Sequence, residues 1–70
     1  MFKVLRTNDG MFQVKTKEYI TTTMSIHQLM RALRDLAVSW DEIEYAITEL
    51  VNNDHHEADF GINRTFIFSK

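Results

Sequence analysis

Five ionisable side chains crowd into six positions of this 70-residue chain: Asp54, His55, His56, Glu57 and Asp59. Imidazole and carboxylate groups suit zinc and related divalent ions, and a loop folded back on itself could make them converge. The spacing argues against it. Adjacent histidine side chains diverge, and there is no helical His-x-x-x-His pair to aim two rings at one point. The simpler expectation is a solvated helix-to-strand connection, with no metal and no cofactor.

Acid–base chemistry could use His27 or His56 beside a carboxylate, yet nothing in their positions aims either at a partner. With no cysteine in the chain, a nucleophile would have to be a serine. Ser25 and Ser39 are accounted for as helix caps, and Ser69 lies near the last residue. Asp59-Phe60-Gly61 spells the tripeptide of a kinase activation segment, but no other kinase element accompanies it. Asn63-Arg64-Thr65 matches a glycosylation sequon, a reading that needs secretion, for which the chain shows no signal. Two glycines make no phosphate-cradling loop. The expectation is a protein without catalytic activity.

Contact is the chemistry that remains. The net charge of -2 hides an asymmetry: residues 1–34 hold six cations against two carboxylates (net +4), and residues 35–70 hold two against eight (net -6). Such a division bears on partners, not on fold. Asp41, Glu42, Glu44 and Glu49, with Tyr45 among them, give an acidic surface carrying an aromatic, suited to a basic site on another protein, including a nucleic-acid-handling one. Lys3, Lys15, Lys17 and Arg64 offer the opposite sign. The first three share an outward strand phase with Tyr19, which suits single-stranded nucleic acid, or serves as charge that keeps an exposed sheet from aggregating. Paired helices could also form a helix-turn-helix, but the second one carries acids and no basic residue, the wrong sign for phosphate.

The elements that position these groups follow from periodicity. Phe2 and Val4, then Phe12 and Val14, alternate with polar residues as strands do, and Thr7-Asn8-Asp9-Gly10 between them is a hairpin turn. The second strand is expected to continue through Tyr19 and Ile20 into Thr21, Thr22 and Thr23. Ser25 and Gln28 form a capping box, with Met24 placed to staple onto Leu29, so a helix begins at Ile26. Ser39 and Glu42 repeat the box, with Val38 facing Ile43. The second helix has an inner stripe of Trp40, Ile43, Ala46, Ile47, Leu50 and Val51, and Asn52-Asn53-Asp54 stops it. Because only Val38 and Ser39 connect the helices, they make a tight corner or hairpin.

Residues 58–70 hold Phe60, Ile62, Phe66, Ile67 and Phe68, with the alternation interrupted at Asn63-Arg64. One long bulged strand is preferred over two strands divided by a turn. The expected fold is therefore α+β, ββααβ in order: a three-stranded antiparallel sheet with two helices packed on one face, in a single domain spanning 1–70.

At 8.3 kDa there is room for one core, and 44% hydrophobic residues with eight aromatics belong to a folded chain. The chain lacks an apolar run long enough to span a membrane or act as a signal, and a cytoplasmic, non-membrane location is expected. Size and the lack of cysteine and proline suit the small accessory proteins of phages and mobile elements. The preferred function is a non-enzymatic protein-binding module, an inhibitor or modulator, acting through the acidic helix or a sheet edge. The alternative is a nucleic-acid-binding regulator using the basic sheet face. An edge strand or leftover apolar patch could also make a homodimer.

Overall fold

A computed structural model of the chain describes residues 1–61 and 66–70. The first strand, β1 (Phe2–Arg6), turns at Gly10, whose φ of +81° a side chain would oppose, into β2 (Phe12–Lys15). Thr7 organises the turn. Its N–H donates to the Met11 carbonyl (2.9 Å), its carbonyl accepts from Gly10 N–H (3.1 Å), and its hydroxyl accepts from Met11 N–H and donates to the Asp9 carboxylate. That last bond holds the Asp9 carboxyl below its ordinary pKa.

The expected extension of the second strand does not occur. β2 ends at Lys15, and the Thr16 hydroxyl accepts from the backbone N–H of Glu18 and of Tyr19 (both 3.2 Å), a side-chain mimic of a backbone turn. The chain then reverses. Residues 20–24 run back along the outer edge of β2 with isolated bridges at Lys15–Ile20 and Phe12–Met24, and the Thr21 hydroxyl accepts from Val14 N–H at 2.9 Å. One edge of the sheet is thereby covered.

Both serine-led helices form. In α1 (Ile26–Asp35) the capping box is complete, Ser25 Oγ accepting from Gln28 N–H while Ser25 N–H donates to Gln28 Oε1 (2.9 Å). In α2 (Trp40–Asn52) it is half made: Ser39 Oγ accepts from Glu42 N–H but donates back to Glu42 Oε1 (2.9 Å), so the carboxylate meets the hydroxyl instead of the Ser39 backbone. Ala37, at φ +65°, lies in the link between them, and Arg34 donates to the Val38 carbonyl (3.1 Å). Arg34 reaches Trp40, and Ile26 shares a groove with Thr48, so the helices lie side by side and antiparallel.

After α2 come β3 (Glu57–Phe60) and β4 (Phe66–Ser69), which pair antiparallel in the register Phe60 with Phe66 and Ala58 with Phe68. The C-terminal segment is thus two strands. The sheet has four strands in the order β2-β1-β3-β4, not the expected three. Ala58, Phe60, Phe66 and Phe68 are all even-numbered, so alternation alone could not separate one straight run from two paired strands. The bulge expected at Asn63-Arg64 lies outside the described residues, as does Arg64.

Both helices cover one sheet face. Val4, Phe12, Val14, Leu29, Leu33, Val38, Ile43 and Leu50 are fully buried there. The two ends of the chain are joined by aromatics: Phe2 stacks on Phe60 (5.0 Å between ring centres) and Phe66 packs edge-on to both. Arg6 ties sheet to helix by donating to the Leu50 carbonyl (2.9 Å) and to Asp54 (3.2 Å), a cation at the carbonyl end of α2.

Candidate contact surfaces

The polar cluster after α2 disperses. Asp54 pairs with Arg6, His55 lies against the Phe68 ring (5.4 Å) with Nε2 at 3.7 Å from Glu49, and His56 is exposed. Glu57 and Asp59 point to the opposite sheet face, because alternate strand residues must. Among the described residues, no three His, Asp or Glu side chains are grouped to hold a metal ion.

The acidic surface forms in part. Asp41, Glu44, Tyr45 and Thr48 recur at one-turn spacing and line one shallow depression on the outer side of α2. Tyr45 is 50% exposed, with its ring edge against Phe68 (5.4 Å). Neither Asp41 nor Glu44 has an ion-pair partner among the described residues. Glu42 and Glu49 are not part of this group. They are partly buried, Glu42 held by Ser39 and Glu49 accepting from the Asn53 side chain beside His55.

The basic sheet face carries both signs. Lys3 stands beside Lys15 on one side and Asp59 on the other, and its Nζ lies 3.0 Å from Glu57 and 3.8 Å from Asp59. The hydrogen bond to Glu57, helped by the Asp59 charge, raises the Lys3 pKa above 10.5. Lys15 and Lys17 have no such partner among the described residues, and all three lysines line a hollow of about 430 Å³ with Met1, Phe2 and Phe60.

A third surface was missed by the expected inner stripe of α2. Trp40 (55%) and Val51 (41%) are exposed, not buried, and on α1 Ile26 is exposed as well (39%). Ile26, Met30, Trp40, Ile43 and Ile47 wall a groove of about 310 Å³ between the helices. A signal for it exists in the sequence: at about 100° per residue the apolar arc of α2 from Ala46 to Val51 spans about 140°, wider than one sheet face covers.

The architecture is that of a small α+β protein with helices layered on one side of an antiparallel sheet. Comparison with known proteins finds no matching family model, no similar curated protein and no similar solved structure. Among the described residues no helix is long and apolar enough to cross a membrane.

Proposed function

We propose that this chain is a non-enzymatic protein-binding module, an inhibitor or modulator that works by docking the outer face of α2 against another protein. The observation that carries this reading is the pair of carboxylates Asp41 and Glu44, without an ion-pair partner among the described residues, beside the exposed rings of Tyr45 and Trp40. Charges without a local partner project their field outward and steer a partner of opposite sign, while half-exposed aromatics supply the area that a contact buries. A basic partner is favoured, including one whose cationic site ordinarily holds nucleic acid. Asp41 also complements the α2 dipole, but Glu44 lies beyond the first turn, where that effect has faded.

The test is capture from nuclease-treated cell extract with three baits: the native chain, D41K/E44K and K15E/K17E. The expected result is a protein held by the native chain and by K15E/K17E and lost from D41K/E44K. Retention of the same protein on D41K/E44K sinks the reading.

A second reading, nucleic-acid binding through the sheet, is favoured by the convergence of Lys3, Lys15 and Lys17 on one hollow. It is weakened by the two carboxylates that already engage Lys3. Mobility shift at two salt concentrations tests it, since phosphate contacts weaken as salt rises. No shift at low salt with any strand type removes it.

A further inference from the structure

The outer helical layer has two halves of opposite sign separated by an apolar seam. Away from the sheet, α1 presents His27, Arg31 and Arg34 with one acid, Asp35, whereas α2 presents Asp41 and Glu44 and contains no lysine or arginine. Between them runs the groove walled by Ile26, Met30, Trp40 and Ile47. A surface that carries a cationic strip, an apolar strip and an anionic strip in parallel is complementary to itself when turned over.

We infer that a second copy of the chain docks on this layer about a two-fold axis parallel to the helices, so that α1 of each copy lies over α2 of the other. The inference rests on the reading of the α2 outer face as a contact surface and names one partner for it. Charge selects the axis. A two-fold perpendicular to the helices would set α1 on α1 and α2 on α2, bringing Arg31 and Arg34 against their own copies and Asp41 and Glu44 against theirs. The parallel axis exchanges these repulsions for attractions and closes Trp40, Ile26 and Ile47 of both copies into one apolar seam, a four-helix layer between two sheets. The size is adequate. A stable interface covers ~800 Å² per partner, which is about a sixth of the 4761 Å² that this chain exposes. A 70-residue domain without disulfides also has reason to gain from burying a half-exposed tryptophan.

The test uses the native chain and two charge-reversed variants, H27E/R31E on α1 and D41K/E44K on α2, each checked for native helix content by circular dichroism. Sedimentation over a concentration range is expected to show a native dimer, each variant alone dissociating at least tenfold more readily, and an equimolar mixture of the two variants recovering the dimer. Recovery follows because an acidic α1 then meets a basic α2 and the reverse. In the native chain, Trp40 emission should shift to the blue as dimer forms, a readout that needs no variant. A native chain that stays monomeric throughout overturns the inference but leaves the capture test of the contact surface standing. A dimer indifferent to these substitutions, or formed with no change at Trp40, also overturns it and points to the β4 edge instead.

Discussion

The guanidinium of Arg34 lies 5.1 Å from the ring centre of Trp40, so the last turn of α1 is stacked on the first residue of α2. The same Arg34 donates to the Val38 carbonyl, closing the link that joins the helices. One side chain therefore sets how the two halves of the outer layer sit beside each other. Arg34→Ala should cost about 1–2 kcal/mol in urea unfolding, from the lost cation–π contact and the lost hydrogen bond. Arg34→Lys should recover only part of that, because an ammonium cannot stack as a plane while bonding the carbonyl.

Ser25 and Ser39 start the two helices by the same means, with a difference in how they are answered. Ser25→Ala should cost ~1 kcal/mol, since the backbone N–H of Gln28 loses its acceptor. Ser39→Ala should cost at least as much, because it also strips the Glu42 carboxylate of its hydroxyl donor in a partly buried position. Thermal unfolding of both variants checks the order, and a harmless Ser39→Ala contradicts the geometry described.

Phe60 pairs with Phe66 across β3 and β4, and Ile67, the next residue along β4, faces the opposite side of the sheet. Phe60 is sandwiched by Phe2 and Phe66, and Phe60→Ala should cost ~3–5 kcal/mol, enough to unfold much of so small a domain. Ile67 is 68% exposed, and Ile67→Thr should change unfolding by less than about 0.5 kcal/mol. Equal effects would mean that the register of β4 is wrong.

Two groups tie stability to pH in opposite directions. Asp9 is held below its ordinary value of 3.8 by the Thr7 hydroxyl, so its contribution is present above that value and lost as pH falls through the lowered one. Lys3 is raised above 10.5 first by its hydrogen bond to Glu57 and then by the Asp59 charge, so its contribution is present below 10.5 and lost as pH rises through the raised value. Nuclear magnetic resonance titration should show Asp9 returning upward in Thr7→Val and Lys3 returning downward in Glu57→Gln.

The positions where sequence pattern and structure agree are those governed by local chemistry. The Gly10 turn, the Ser25 and Ser39 starts and the helical phases of Ile43 and Leu50 need only near neighbours to specify them. The return of residues 20–24 along β2 escaped because the Thr16 side chain, not a glycine or proline, makes the turn. The split into β3 and β4 escaped because both sets of phenylalanines keep one parity. At the candidate surface, Asp41, Glu44 and Tyr45 fall together by helical spacing, which sequence supplies. The removal of Glu42 and Glu49 to local duties depends on where Ser39, Asn53 and His55 come to rest, which spacing does not reveal.

A residue-by-residue amide map of the labelled chain, recorded with and without its partner in nuclease-treated extract, locates the contact surface. The α2 face as contact surface predicts that broadening or shift changes concentrate on residues 40–48, at Trp40, Asp41, Glu44, Tyr45 and Thr48. Changes confined to Lys3, Lys15 and Lys17, with α2 untouched, would contradict it.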